Sequence, residues 1–202
     1  MTKAEIFFNQ MKNKKIAFIG TGVTNTNIIK LFLSKDFDVT ICDRKSPEQM
    51  GELYDELKNL GAKYIMGEKY LDTLTDFDVV FRSPGMYFNN PALKSAREKG
   101  VVITSEMEVF FELCPCKIYA VTGSDGKTTT TTLLGLLLEK KYKNTAVVGN
   151  IGVAYSQKVM SLKAEDMVCA EISSFQLETS RAFNPHISAV LNITPDHLNR
   201  HK

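Results

Sequence analysis

Nine strand-length apolar runs, most of them rich in β-branched residues, recur along the chain: KIAFIG, DVTIC, KYIMG, DVVF, VVIT, IYAVT, TAVVG, DMVCAEI and ISAVLN. Most are separated by stretches long enough for a crossover helix, such as Pro47 to Leu60 and Pro91 to Lys99. A run that is apolar at nearly every position needs both of its faces covered, and parallel strands joined by helices supply that cover. The pattern predicts an α/β chain built on parallel sheets. At 202 residues there is room for one large domain or two small ones. A boundary is expected in VFFELCPCK, residues 109–117, where Pro115 breaks a helical pattern and a new strand–glycine loop–helix unit begins at Ile118. The expected domains are residues 1–110 and 117–202.

Charge excludes one class of partner. The formal net charge is +2, with both signs interspersed, so there is no electrostatic footprint for nucleic acid. The N-terminal MTKAEIFFNQMKNKK lacks the apolar region and cleavage site of a signal peptide, and no apolar run approaches bilayer-spanning length. No membrane partner is expected. Cys42, Cys114, Cys116 and Cys169 show no paired CxxC spacing, which favours reduced thiols over a disulfide framework or zinc site and places the chain in the cytoplasm.

Polar and glycine residues fall directly after the apolar runs: Gly20-Thr21-Gly22, Asp43, Ser83-Pro84-Gly85, Gly123 to Thr128, Gly149-Asn150, Glu171 and Thr194 to His197. In open parallel sheets, ligands bind beyond the carboxyl ends of the strands. Residues of this kind in these places point to a binding or catalytic protein with two ligand crevices.

The strongest motif is VTGSDGKTTTTTLLGLLLEKK. Gly123 and Gly126 let the backbone turn so that its N–H groups converge on phosphate oxygens, and the helix start adds partial positive charge. Lys127 can neutralise the outer phosphates and the Thr128 hydroxyl can reach Mg²⁺. Val121 stands where the general phosphate-loop pattern has its first glycine. FIGTGVTNTN, with Asp43 after the next strand, matches part of a dinucleotide fingerprint, although Asn25 occupies the third glycine position. Nicotinamide dinucleotide and a UDP-type nucleotide both remain open for that turn. Glu171 enters a buried region at the end of MVCAEI, as a metal-facing carboxylate or as half of an ion pair. In LNITPDHLNR, Thr194 and Pro195 read as an N-cap and first helical position, which leaves His197 either functional or an ordinary first-turn residue. The expected architecture is a Rossmann-like parallel-sheet domain followed by a P-loop NTPase-like α/β domain.

Together these strings resemble the Mur ligase family, and within it the D-glutamate-adding type. TGSDGKTT resembles the family's ATP-binding loop, with Asp125 in place of the more usual asparagine; GNIG, residues 149–152, resembles its asparagine-bearing turn; and LNITPDHLNRH resembles its histidine segment. EISSFQLE at 171–178, RSPG at 82–85 and SEMEVFF at 105–111 match the D-glutamate-adding type.

The resemblance implies an ATP-dependent amide-bond-forming ligase of peptidoglycan synthesis, acting as a monomer on UDP-N-acetylmuramoyl-L-alanine and D-glutamate with ATP and Mg²⁺. The L-alanine carboxylate would be phosphorylated to an acyl phosphate, which the amine of D-glutamate would then displace. Val23 and Thr24 would lie near the diphosphate or uracil, Asp43 and Arg44 near the uridine, and Ser83 nearby. Asn150, Ser173 and Gln176 would face the sugar and L-alanine. Gly123, Ser124, Asp125, Gly126, Lys127, Thr128 and Thr129 would wrap the ATP phosphates. Thr128 and Glu171 would share one Mg²⁺ and His197 would help hold a second, so Lys127, Glu171 and His197 are the implied catalytic residues. The family continues past the histidine segment, so the resemblance also implies an incomplete second domain, an exposed edge at the last strand and little ligase activity from these residues alone. Another Mur-family amino-acid ligase, or a non-catalytic module for NAD or a UDP-sugar, remain as alternatives.

Overall fold

The computed structural model describes residues 1–149, 155–178, 180–196 and 198. It divides into two compact units, Met1–Glu106 and Met107–Lys202, each built around a parallel sheet. The nine apolar runs form nine strands, so the expected fold class is borne out.

In the first unit, β1 (Ile16–Ile19), β2 (Val39–Asp43), β3 (Lys63–Met66), β4 (Val79–Phe81) and β5 (Val102–Thr104) pair in the order β3-β2-β1-β4-β5, all parallel. The order reverses at β1, so a crevice opens between the ends of β1 and β4. β1 is buried at every position, as a strand covered on both faces must be. One face carries Phe18, stacked on Phe81 at 4.2 Å and meeting Phe32 edge-on at 5.6 Å. The other carries Ala17 and Ile19 among Cys42, Val80, Leu93 and Ala96. Phe32 belongs to α2 (Val23–Leu33), and Phe7 and Phe8 of α1 (Lys3–Met11) extend the same aromatic cluster.

The stretch from Pro47 to Leu60 departs from a single crossover helix. It forms α3 (Pro47–Met50) and α4 (Glu52–Asn59), interrupted at Gly51. That residue takes φ +60° and ψ −140°, a conformation that closes one helix and opens the next and that a side chain would strain. α5 (Pro91–Glu98) is continuous and is capped by the Asn90 side chain, which accepts from the Ala92 N–H.

α6 (Glu106–Leu113) ends ahead of Pro115. Beyond it, β6 (Lys117–Thr122), α7 (Lys127–Glu139), β7 (Thr145–Gly149), α8 (Tyr155–Val159), β8 (Met167–Glu171), α9 (Ser174–Leu177) and β9 (Ile187–Val190) give a parallel sheet of order β7-β8-β6-β9. β8 is buried throughout, between β7 and β6. β9 pairs only with β6 among the described residues and is exposed along its length. α7 approaches β7 so closely that a Cβ on Gly135 would stand 2.5 Å from Val147 Cγ2. Among the described residues no helix is long and apolar enough to cross a membrane.

Candidate functional site

In the first unit, Gly20 (φ +78°) turns the chain out of β1 into α2, whose N-cap, Gly22, brings no side chain to the helix start. Val23 and Thr24 are therefore the first two helical residues beside backbone N–H groups that lack intrahelical partners. Asp43, at the end of β2 and 6% exposed, holds this turn in place. Its Oδ2 accepts from the Thr21 N–H at 3.0 Å and the Thr21 hydroxyl at 2.8 Å, while Oδ1 accepts from the Lys45 N–H at 3.0 Å. Arg44 lies exposed, its guanidinium on the Glu68 carboxylate. A cavity of about 270 Å³ opens beside the turn, with Gly20, Asp43, Arg44, Tyr70, Ser83 and Met86 among its lining.

Asn25 departs from the dinucleotide fingerprint for a visible reason. It is 1% exposed, and its Nδ2 donates to the Ile19 carbonyl at 2.8 Å and the Gly20 carbonyl at 3.2 Å. A glycine there would leave the space open for close helix–strand packing. The asparagine instead fills it and ties the helix start to the turn.

In the second unit, Gly123 (φ +143°) and Gly126 (φ +79°, the αL N-cap of α7) shape the loop between β6 and α7. A Cβ on Gly123 would meet the Asn192 carbonyl oxygen at 3.1 Å, so only glycine sits there without displacing the segment after β9. That segment braces the loop. Asn192 Oδ1 accepts from the Asp125 N–H at 2.9 Å, its Nδ2 donates to the Asp125 carbonyl at 3.0 Å, and Ser124 bonds the Thr194 backbone through its hydroxyl. Thr194 and Pro195 do not start a helix among the described residues; the Thr194 backbone is taken up by Ser124 instead. No side chain caps α7, leaving the first-turn amides of Lys127, Thr128 and Thr129 for an anion. Lys127 folds back over the loop, donating to the Gly123 and Ser124 carbonyls at 2.7 Å each.

Thr128 Oγ1 donates to Glu171 Oε2 at 2.9 Å. Glu171 ends the central strand at 3% exposure, so a buried carboxylate and a helix-start hydroxyl share one point beside the glycine loop. Two hard oxygen donors at a phosphate-binding turn fit Mg²⁺, which takes one or two protein oxygens and completes its shell with phosphate and water. No cluster of three or more His, Cys, Asp or Glu side chains that could hold a metal ion occurs among the described residues. Ser173 and Gln176 are engaged with each other: Ser173 caps α9, and Gln176 Oε1 accepts from the Ser173 N–H at 2.9 Å. Asn150 and His197 lie outside the described residues.

Two residues that the sequence reading passed over hold this site. Asn192 was visible as a polar residue directly after an apolar run, the same signal that singled out Asp43 and Glu171. Tyr155, whose hydroxyl donates to the Glu171 carbonyl at 2.9 Å, looked like an ordinary aromatic core residue. The cysteines are all free and buried; Cys114 Sγ and Cys116 Sγ lie 3.5 Å apart. Burial, with Asp43 adding to it, pushes the Cys42 thiol up to about 12.

Comparison with known proteins agrees with this division. Residues 14–105 match the model of the Mur ligase MurD-like N-terminal domain, and residues 121–202 match that of the Mur ligase middle domain. The UDP-N-acetylmuramoylalanine–D-glutamate ligase of Acetivibrio thermocellus is 43% identical over 201 residues, covering 100% of this chain and 43% of that protein. The enzyme of the same name from Clostridium novyi is 46% identical over 200 residues, 96% of this chain and 43% of that one. The chain thus spans less than half the length of these relatives. Among solved structures, the MurC UDP-N-acetylmuramate–alanine ligase of Thermotoga maritima matches 94% of the chain and 44% of its own, with TM-score 0.52 at 25% identity. The UDP-N-acetylmuramate:L-alanyl-gamma-D-glutamyl-meso-diaminopimelate ligase of Neisseria meningitides matches 94% of this chain and 63% of its own, with TM-score 0.54; at 21% identity it speaks for the fold alone. With both of its units matched and with relatives more than 40% identical along its whole length, the chain belongs to the Mur ligase family.

Proposed function

We propose that these residues form the nucleotide-substrate and ATP-binding parts of a cytoplasmic ligase that adds D-glutamate to UDP-N-acetylmuramoyl-L-alanine in peptidoglycan synthesis. Residues 1–110 hold the UDP end of the substrate and residues 117–202 hold ATP. The observation that carries the ATP assignment is the hydrogen bond between Thr128 and the buried Glu171 at the start of an uncapped helix behind a two-glycine loop. A module that only bound a UDP-sugar would have no use for that arrangement. The choice of D-glutamate over another amino acid rests on the names of the relatives and on EISSFQLE.

In this reading the α2 N-terminus, with Val23 and Thr24, receives the diphosphate, and Asp43, Arg44 and Ser83 border the uridine. Asp43 contributes by holding Thr21, and Asn25 keeps the turn closed against the helix. Gly123 to Thr129 wrap the ATP phosphates. Lys127, which donates to the Gly123 and Ser124 carbonyls, lies over the loop where it would exchange them for phosphate oxygens. Thr128 and Glu171 would hold Mg²⁺, which, when bound, offsets the repulsion between the phosphates and the substrate carboxylate. Both partners of the phosphoryl transfer are anionic, so the residues act chiefly by positioning and neutralisation. Asn150, Ser173 and Gln176 face the sugar and L-alanine, and His197 serves a second metal. Neither nucleic acid nor membrane is a partner, and the protein acts as a monomer.

Titration of the chain and its Lys127→Ala variant with ATP·Mg and with UDP-N-acetylmuramoyl-L-alanine tests the assignment. Loss of ATP binding with UDP-substrate affinity kept within a few-fold is expected. Undiminished ATP affinity in the variant would overturn it.

A further inference from the structure

We propose that Tyr155 is a positioning residue for the Glu171 carboxylate and so sets how tightly a divalent cation is held with ATP at the glycine loop. The inference rests on the ATP-site reading above. It starts from the peptide that follows Glu171. On one side of β8 the Ile172 N–H donates to the Val121 carbonyl at 2.9 Å, which ties that peptide to β6. On the other side the Glu171 carbonyl accepts from the Tyr155 hydroxyl at 2.9 Å. The two bonds grip the same planar unit from opposite edges. With that plane fixed, and with the preceding residues of β8 held between β6 and β7, the direction of the Glu171 Cα–Cβ bond is fixed as well, and the carboxylate lies 2.9 Å from Thr128 Oγ1.

Two further features show that this contact is built in. Tyr155 is 1% exposed, and its ring packs against Phe110 at 4.9 Å and Phe111 at 6.4 Å, with Phe111 in turn edge-on to Phe183 at 4.9 Å. A ring wedged in this way presents its hydroxyl at one place only. Gly149, opposite Glu171 in the sheet, makes the space for it: a Cβ there would lie 2.8 Å from the Tyr155 hydroxyl and would overlap the Glu171 carbonyl oxygen. Tyrosine thus supplies at the end of β8 a donor aimed where the metal-facing side chain needs its backbone held. Groups that orient a metal-binding side chain from behind affect metal affinity although they touch no metal.

The test compares ATP binding by the 202-residue chain across a magnesium titration, for the parent, Tyr155→Phe, Glu171→Gln and the double variant. Tyr155→Phe is expected to raise the magnesium concentration needed for half-maximal enhancement of ATP binding about tenfold, with metal-free ATP binding unchanged. In the Glu171→Gln background the same substitution is expected to add nothing, because its effect passes through the carboxylate. Phe111→Leu, which loosens the ring and keeps the hydroxyl, should shift the midpoint in the same direction by less, and it serves if the phenylalanine variant does not fold. A Tyr155→Phe chain that melts earlier but keeps the parent's magnesium midpoint overturns the proposal and leaves the ATP site standing. A parent whose ATP binding ignores magnesium overturns the metal reading itself, and the inference with it.

Discussion

Replacing Gly149 by alanine should destabilise the second unit by several kcal/mol, and the reasons can be separated. Gly149 has φ +120°, where L side chains are rarely found, and holding a non-glycine residue in such a region costs on the order of 1–3 kcal/mol. The added methyl group would overlap the Glu171 carbonyl oxygen and stand 2.8 Å from the Tyr155 hydroxyl. One of these contacts is with main chain in the central strand, so no rotamer change relieves it. Forcing them apart breaks the Tyr155–Glu171 hydrogen bond and leaves a buried donor and acceptor unpaired, a further cost of about 1–3 kcal/mol. Against this, alanine narrows the unfolded ensemble and returns roughly 0.4–1 kcal/mol. The net is a loss of about 1–6 kcal/mol, a large share of the 5–15 kcal/mol typical of a whole domain. Urea titration by circular dichroism, with hydrogen exchange read on peptides spanning β7 and β8, would measure it. An unchanged or raised midpoint with full protection at Glu171 would refute the close approach on which the reasoning depends.

Three further outcomes follow from the same geometry. Gly135→Ala improves helix propensity by about 1 kcal/mol but drives a methyl into Val147; overpacking of about 1–3 kcal/mol should win, and Val147→Ala should restore the gain in a double-mutant cycle measured by urea denaturation. Asp43→Ala leaves the Thr21 and Lys45 N–H groups without their acceptor and should weaken binding of the UDP compound severalfold while sparing ATP binding, a split that paired titrations would show. Burial raises the thiols of Cys42, from 9.0 to about 12, and of Cys169, to about 11. Their protonated forms are favoured in the native state, so the stability they contribute is whole below pH 9 and is lost as pH rises through roughly 9–12, where only the unfolded thiols ionise. Melting curves at stepped pH should show that decline, and an aromatic disulfide reagent should find no reactive thiol in the native chain at pH 8.

β1, β4 and β8 were legible because they are buried at every position, so their apolar character is continuous along the sequence. The phosphate loop was legible because glycines at 123 and 126 answer a backbone demand that few other residues meet. What escaped was what depends on distant pairing. The break at Gly51 could not be told from a helix interior, since glycine there is decided by a single φ value. Thr194-Pro195 carries a helix-start signature, yet the Thr194 backbone is claimed by Ser124, 70 residues away. Asn25 looked like a flaw in a glycine fingerprint and is instead a buried tie between α2 and the end of β1. The role of Tyr155 arises only when β8 brings Glu171 beside α8, and no local pattern announces that.

The most direct test of the central claim is a calorimetric titration of the folded chain with UDP-N-acetylmuramoyl-L-alanine, with NAD as the comparison. Saturable binding of the UDP compound and none of NAD is the expected result. It would show that the turn closed by Asn25 and held by Asp43 receives a uridine nucleotide. Binding of NAD without the UDP compound would contradict it, and the first unit would then be a dinucleotide site.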